Sequence, residues 1–371
     1  MAEDGAIGGG SLAIIGMPAT TTYGADVTRT HALWLSRAPG APQGAIMKDL
    51  GDLATGREYT RGFKLMGYSS PIQLAGPVDE YSLAIMAALA CGRDAVSSLG
   101  SGAYQHVVTK VPIDGVLRST SIEVYHSTPT HANGDALNYD GFWVDELSAR
   151  WQNDGEWSWD VTALTEGQAS QLVATTTPTY TPTTPLWMSG GTQIVLSTTT
   201  PTGVTGDPGT TLATVANMGG GTGQGWTNVD LSLYVKSGVI RVRNSGVAMR
   251  QGSNSGLVTK IRRGRQRMTL DLTLSYDFTN STIYNFLISH GAATNWGAIV
   301  RKINNTNIGG SYNHGHELII PRVQLSGRPE ITGEVNRERD IRLSFEVCDI
   351  GGALDVYYWH FWNGQNIDYV S

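Results

Sequence analysis

The chain has 371 residues, enough for about two domains of ordinary size, and 40% of them are hydrophobic, so a wholly disordered protein is excluded. Charged residues make up only 16%, and a composition so rich in Gly, Thr and Ser is typical of β-proteins that bury much surface against other subunits. The net charge of −6 argues against a protein that grips nucleic acid, because such proteins carry a basic stripe.

The sequence lacks the patterns expected for export, for membrane insertion and for metal binding, which indicates a protein made in the cytosol. No basic region followed by an apolar one opens the chain, and no apolar run reaches the roughly 20 residues of a membrane helix. We therefore expect synthesis in the cytoplasm and no membrane partner. Cys91 and Cys348 lie too far apart for a disulfide framework or a metal motif, so both are predicted to be free thiols.

Residues 1–50 are predicted to form an extended N-terminal arm. Pro18, Pro39 and Pro42 interrupt any regular helix in this stretch. Trp34 is a large apolar side chain within the arm and favours packing on a neighbouring subunit.

Residues 51–170 read as a first β-rich unit with one helix. The pattern predicts a helix at 80–91, with Asp79 as its N-cap, Gly92 as its C-terminal stop and an apolar stripe that begins at Leu83. Strands are predicted at 63–68, 104–110 and 117–125.

The clearest β-hairpin signal in this unit surrounds the turn Asn-Asp-Gly at 153–155. Trp143 and Trp151 precede the turn, and Trp157 and Trp159 follow it in strict alternation with polar residues. These tryptophans favour packing in a sheet core or an interface, and an exposed sugar-binding platform is the alternative.

Residues 171–230 are rich in Thr, Pro and Gly and are predicted to be a linker or surface loop with one strand at 193–196. A second β unit is predicted at 231–350. Its strongest signal is the period-2 alternation of 268–276, followed by a helix at 281–290. Further strands are predicted at 296–302, 318–325 and 341–347.

The final residues, 351–371, are predicted to be a C-terminal arm. The two units share an order of elements, and residues 106–110 match 298–302 in position and character. The sequence thus predicts a mainly β protein built from two tandem units, each with one short helix.

One basic cluster stands out, formed by Arg262, Arg263, Arg265 and Arg267 at the turn that leads into the 268–276 strand. We expect these arginines to contact an acidic patch on a neighbouring subunit. The alternatives are a solvated turn and a DNA contact, although no aromatic residues are interleaved for base stacking.

Other patterns are weak signals of chemistry. His314, His316 and Glu317 offer three metal-ligating types, but no further ligand follows at a familiar spacing. The glycine run at 219–223 lacks the Lys of a phosphate loop, and the segment 252–256 has Asn where a nucleophile motif has Ser. The sequence therefore predicts no enzyme, no metal and no cofactor.

Several blocks of the sequence together resemble the tail tube proteins of long-tailed, non-contractile bacteriophages. In the first half they are the Thr- and Gly-rich segment 17–24 and the tryptophan hairpin, 141–147 with 156–161. In the second half they are the alternating strand 268–276 and the blocks 282–286 and 318–323. In that family each unit is a β-sandwich or barrel with one flanking helix. The units form rings whose inner strands join into one barrel, and the rings stack into a hollow tube.

The resemblance implies a structural protein of the virion tail. Its partners would be further copies of itself, in trimeric rings if the chain is duplicated and hexameric rings otherwise. The tape measure protein would fill the lumen, tail-tip and tail terminator proteins would bind the ends, and DNA would pass through without specific binding.

Two other hypotheses stay open at this stage. One is a different phage virion β-protein, such as a tail-tip or capsid decoration subunit, which would form closed oligomers without stacking. The other is a carbohydrate-binding β-sandwich that uses the tryptophan hairpin. A hydrolase is disfavoured because no nucleophile context occurs in the sequence.

Overall fold

The computed structural model describes most of the chain and confirms a mainly β fold. The described residues are 11–37, 45–49, 63–68, 71–112, 115–125, 136–167, 170–171, 177–183, 187–197, 228–250, 257–276, 296–310, 312–327, 329–332, 339–349 and 356–370.

Within these residues there are 22 strands and one α-helix. The elements of the first half are β1 (Ser11–Gly16), β2 (Arg29–Leu35), β3 (Ala45–Asp49), β4 (Phe63–Tyr68), β5 (Pro71–Pro77), α1 (Ser82–Cys91), β6 (Gly92–Gly100), β7 (Ala103–Lys110), β8 (Thr120–Tyr125), β9 (Ala136–Gln152), β10 (Ser158–Leu164) and β11 (Ser170–Gln171).

The second half continues as β12 (Gln193–Ser197), β13 (Asn228–Asp230), β14 (Val235–Arg243), β15 (Val247–Met249), β16 (Lys260–Arg262), β17 (Arg267–Tyr276), β18 (Trp296–Gly309), β19 (Tyr312–Leu325), β20 (Glu330–Thr332), β21 (Arg339–Val347) and β22 (Tyr358–Asn363). The predicted tryptophan hairpin and the period-2 strand are confirmed as β9–β10 and β17.

Sheet 1 is the antiparallel layer β5-β10-β9-β14-β17-β21. Its strands alternate, as β17 illustrates: Met268, Leu270 and Leu272 are buried, whereas Thr269 and Asp271 are partly exposed. One face of sheet 1 is therefore apolar and the other polar.

Sheet 2 is the antiparallel layer β6-β7-β22-β19-β18-β12-β13. It joins sheet 1 at a corner, where the end of β19 pairs with β21. The strand β22 comes from the segment predicted to be a C-terminal arm, but it lies in the middle of sheet 2. That prediction was wrong because alternate apolar residues of 358–363 complete the core.

The N-terminal residues are also part of the body of the protein. β1 pairs with β2 and β8, and β8 pairs with the first half of the long strand β9. Ala13, Ile15 and Leu33 belong to the main core. Residues 11–35 therefore pack on their own chain, in contrast to the predicted extended arm.

The helix α1 lies between the two sheets, since it contacts β9 and β14 of sheet 1 and β6 and β7 of sheet 2. All ten of its residues are buried. The predicted one-sided apolar stripe is thus corrected to a helix that is apolar all round, as expected for a helix surrounded by protein.

Both ends of this buried helix receive hydrogen bonds from side chains outside it, although the N-cap is Tyr81 and not the predicted Asp79. At the start, Asp79 Oδ1 accepts from the backbone N–H groups of Tyr81 (3.0 Å) and Ser82 (2.8 Å). At the end, the carbonyl of Ala90 accepts from Asn244 Nδ2 (2.9 Å) and Gln266 Nε2 (2.8 Å). Left unmet in this core, each such group would cost about 1–3 kcal/mol.

The helix stops at Gly92, as predicted. Gly92 has φ +91°, and its N–H donates to the carbonyl of Ala88. A Cβ at this position would lie 2.3 Å from Leu117, so only glycine fits the turn that sends the chain into β6.

One apolar core spans both halves of the chain, so the prediction of two separate units is not confirmed. β9 of the first half pairs with β14 of the second, and β22 lies between β7 and β19. Trp187 and Ile194, from the predicted linker, are buried in the same core. The predicted helix at 281–290 lies outside the described residues.

Asp79 yields a pH prediction. Burial raises its pKa to about 6, above about 3.9 in an unfolded chain, so between these values the folded state binds more protons. This carboxyl's contribution to the free energy of unfolding therefore falls as the pH rises through that window. Relative to D79N, which keeps the acceptor Oδ1, the wild type should lose about 2 kcal/mol between pH 4 and 7.

Urea unfolding of both proteins across this pH range measures the difference. The opposite slope, or a difference that does not change with pH, would show that Asp79 is not buried as an ionisable group.

Candidate functional site

The predicted arginine cluster lies at one end of sheet 1, where the chain passes from β16 into β17. Arg262 ends β16, Arg267 begins β17, and Arg263 and Arg265 lie in the loop between them. Arg263, Arg265 and Arg267 line a cavity of about 530 Å³ together with Lys110 of β7. The remaining lining residues are Gly264, Gln266, Met268, Glu346, Val347, Asp349, Val356 and Tyr357.

A like-charge pair adds to the positive potential at this end. Arg267 lies directly opposite Arg243 in the β14–β17 register. Both are exposed, and the only described ion pair for Arg243 is a 4.0 Å contact with Glu146. Like charges on facing strand positions repel, so the isolated chain carries an unfavourable pair here. We call Arg243, Arg262, Arg265, Arg267 and Lys110 the basic end.

Arg263 differs from its neighbours in the cluster. Its guanidinium donates to the carbonyls of Pro112 and Gly115, both at 3.3 Å, and to that of Val111 at 3.5 Å. Burial lowers the pKa of its guanidinium below the ordinary value. Arg263 therefore fastens the loop after β7 within its own chain, and its contact with another subunit stays a prediction.

The backbone of this loop is held from inside the protein. Gln266 lies between two exposed arginines but points inward, donating to Ala90 O and to Asn244 Oδ1 (2.9 Å) and accepting from the Tyr357 hydroxyl (3.2 Å). The same residues that satisfy the end of α1 thus fix the positions of Arg265 and Arg267.

The polar face of sheet 1 extends from the basic end along the strands. Charged side chains on it are paired with each other, as in Arg241–Glu146 (3.2 Å) and Lys236–Asp340 (2.7 Å). Each of these four side chains is roughly one-third to two-fifths exposed. Such pairs add little stability but keep the face hydrated and close to neutral.

Trp34 was predicted to contact another subunit. It lies on β2, opposite Leu12 of β1, and is 39% exposed, whereas Leu33 and Leu35 on either side of it are buried. Its role as an inter-subunit contact stays a prediction.

The candidate metal ligands do not converge. His314 and His316 point into the core, and Glu317 lies on the opposite face of β19, where Arg301 is 3.5 Å away. His316 stacks on Trp187 and accepts a hydrogen bond from the Trp359 indole (3.2 Å). Burial lowers the pKa of His316 to about 3, so it is a neutral core histidine.

The tryptophans of the β9–β10 hairpin are buried. Trp143, Trp151, Trp157 and Trp159 are at most 3% exposed, and Trp151 stacks on Trp157 with ring centres 4.5 Å apart. The interpretation as core packing is confirmed, and these rings offer no open platform for a sugar.

One buried pair, His106 and Asp94, has the spacing of a catalytic dyad. His106 Nδ1 lies 2.9 Å from Asp94 Oδ2, as in a catalytic dyad, but its Nε2 faces the carbonyl of Gln365 at 3.0 Å, and both side chains are fully buried. The pair fastens the C-terminal segment, since Asp94 also accepts from the Tyr369 N–H. The segments 219–223 and 252–256 lie outside the described residues.

Across the described part of the chain, no group of three or more His, Cys, Asp or Glu side chains is placed to hold a metal ion. Nor does this part contain a helix long and apolar enough to cross a membrane.

Sequence reasoning missed a second charged feature, at the opposite end of sheet 1. The β9–β10 turn carries Asp154 and Glu156, both exposed, beside Met188, which is 59% exposed. The signal was present in the turn itself, but its position relative to the arginines depends on the strand directions. We call residues 153–156 the acidic turn.

Comparison with known proteins gives no family assignment. No protein-family model matches the chain, and no curated protein is significantly similar to it.

The contrast between two neighbouring arginines is testable. Arg263→Ala should lower the free energy of unfolding by about 1–2 kcal/mol, because it leaves three carbonyl groups without their donor. Arg265→Ala, two residues away and exposed, should change it by less than about 0.5 kcal/mol. Urea denaturation of the two variants measures both values, and equal losses would contradict the separate roles.

Proposed function

We propose that this protein is a tail tube protein: a structural virion protein whose copies form stacked rings around the channel through which phage DNA leaves. The observation that carries the proposal is the two-sided character of sheet 1. Six adjacent strands bury one face in the apolar core, where α1 contacts β9 and β14, and present paired charges on the other face. A wall of this kind suits a channel that must not retain a polyanion.

The open rim of sheet 2 also supports assembly. Within the described part of the chain, the nine-residue strand β6 pairs only with β7, and Ala95, Ser97 and Ser98 are exposed. An unpaired strand of this length is a template for another strand, which soluble monomers usually cover or keep short. We propose that β6 pairs with a neighbouring copy.

The register shows which groups of β6 point outward. The N–H of Val111 donates to the carbonyl of Cys91 at 2.9 Å, which makes Cys91 and Val111 a hydrogen-bonded pair. Hydrogen-bonded and non-bonded pairs alternate along an antiparallel ladder. The backbone groups of Val96, which lies opposite His106, therefore point away from β7 and toward the proposed neighbour.

The proposed partners follow from the same role. Further copies complete the ring and the stack, the tape measure protein occupies the lumen, and tail-tip and terminator proteins bind the ends of the tube. The second candidate function is that of a capsid decoration or tail-tip subunit. Such a subunit would also use the unpaired edge of β6, but its rings need not stack.

Electron microscopy of the purified protein tests the proposal. We expect hollow filaments of uniform width, whose ring symmetry is read from end views. Closed oligomers that never stack would favour the second candidate. A protein that stays monomeric at every concentration would contradict both.

A proline in β6 tests the rim. Val96→Pro removes the outward N–H but leaves the hydrogen bonds to β7 in place, so the fold should persist while assembly is reduced at least about tenfold, judged by the critical concentration for filament formation. Val96→Ala also removes most of the valine side chain but keeps the backbone N–H, so this variant should assemble like the wild type.

Circular dichroism establishes that both Val96 variants are folded. Normal filaments from folded Val96→Pro protein would exclude β6 as the pairing edge.

A further inference from the structure

The two charged features of sheet 1 lie at opposite ends of the same strands. Arg243 and Arg267 are level with Glu146 of β9, and six residues further along that strand Gln152 precedes the acidic turn. At about 3.3 Å per residue the separation is roughly 20 Å. The basic end and the acidic turn therefore face in opposite directions along the strand axis.

We propose that copies of this chain dock head to tail, with the acidic turn of one copy inserted into the cavity of the basic end of the next. The inference deepens the proposed function, on which it rests, by naming the stacking contact. A surface that binds a different surface of an identical copy makes an open-ended array when the operation does not close, which is what a stack requires.

The acidic turn is built as a rigid projection. The Gly155 N–H donates to Gln152 O (3.0 Å), and the Asn153 N–H donates to Lys236 O (2.7 Å). The adjoining segment holds the turn from below, since the Ser189 hydroxyl donates to the carbonyls of Gln152 and Gly155. Little conformational entropy is lost when such a turn docks.

The two carboxylates of the acidic turn, Asp154 and Glu156, are exposed to solvent. Among the described residues, neither Asp154 nor Glu156 has an ion pair. Met188 forms a β-bridge with Glu156 and projects its apolar side chain beside it. The projection thus combines two carboxylates with one exposed apolar group.

The basic end complements this projection in both respects. Arg265 and Arg267 have no described ion pair, and with Lys110 and Arg263 they line the cavity, where these four cations outnumber the two carboxylates of Glu346 and Asp349. Val347 and Val356 give the same cavity an apolar part. Carboxylates placed there would lie beside Arg265 and Arg267 and would partly offset the repulsion that Arg267 experiences from Arg243 on the facing strand.

Charge reversal and charge exchange test the contact. R265E/R267E and D154K/E156K should each raise the critical concentration for filament formation at least about tenfold and leave unstacked rings. The chain that carries all four changes has an acidic cavity and a basic turn, so stacking should return. The matched control R150E reverses an exposed arginine on the polar face of sheet 1 and should stack normally.

The outcomes separate this inference from the proposed function. Stacking by both reversed variants at wild-type concentrations, or failure of the fourfold exchange to restore stacking in folded protein, would overturn the docking contact while the tube proposal stands. A wild type that never associates would overturn both. If the wild type retained duplex DNA, R265E/R267E did not, and both stacked equally well, the basic end would be assigned to DNA binding and docking would be excluded.

Discussion

The structure depends on satisfying the ends of a helix that has no contact with water. Because α1 lies between two sheets, its terminal backbone groups must be paired by the protein. Asp79 supplies an acceptor at one end, and Asn244 and Gln266 supply donors at the other. The first comes from the segment before the helix and the other two from the second half of the chain, so the helix ties both halves into one core.

This requirement also shapes the surface. Gln266 must reach the Ala90 carbonyl from the loop between β16 and β17, and its inward direction turns Arg265 and Arg267 outward on either side of it. Arg263, in the same loop, fastens the chain after β7. The loop between β16 and β17 therefore stabilises the protein through Arg263 and Gln266, and it presents the charges of Arg265 and Arg267 on the surface. The same constraint places the basic end at a fixed distance from the acidic turn.

In the proposed assembly, the contacts between copies lie at the edges and ends of the two sheets. Sheet 2 ends in the long strand β6, whose outward backbone groups lack a partner strand within the described chain. Sheet 1 carries opposite charge at its two ends. Lateral pairing through one sheet and axial docking through the other use separate surfaces, so ring formation and stacking are independent steps in the proposed assembly.

The sequence by itself determined the local elements: alternation fixed β17, the Asn-Asp-Gly turn fixed the β9–β10 hairpin, and Gly92 fixed the end of α1, because each depends on neighbours in the chain. Only the tertiary structure decided that residues 358–363 lie inside sheet 2, that α1 is buried all round, and that Arg263 is hydrogen-bonded within its own chain whereas Arg265 is exposed. Those outcomes depend on contacts between distant parts of the chain, such as β22 with β7 and Arg263 with Pro112, which no local periodicity encodes. The same pairing decides which charged turns share an end of the sheet.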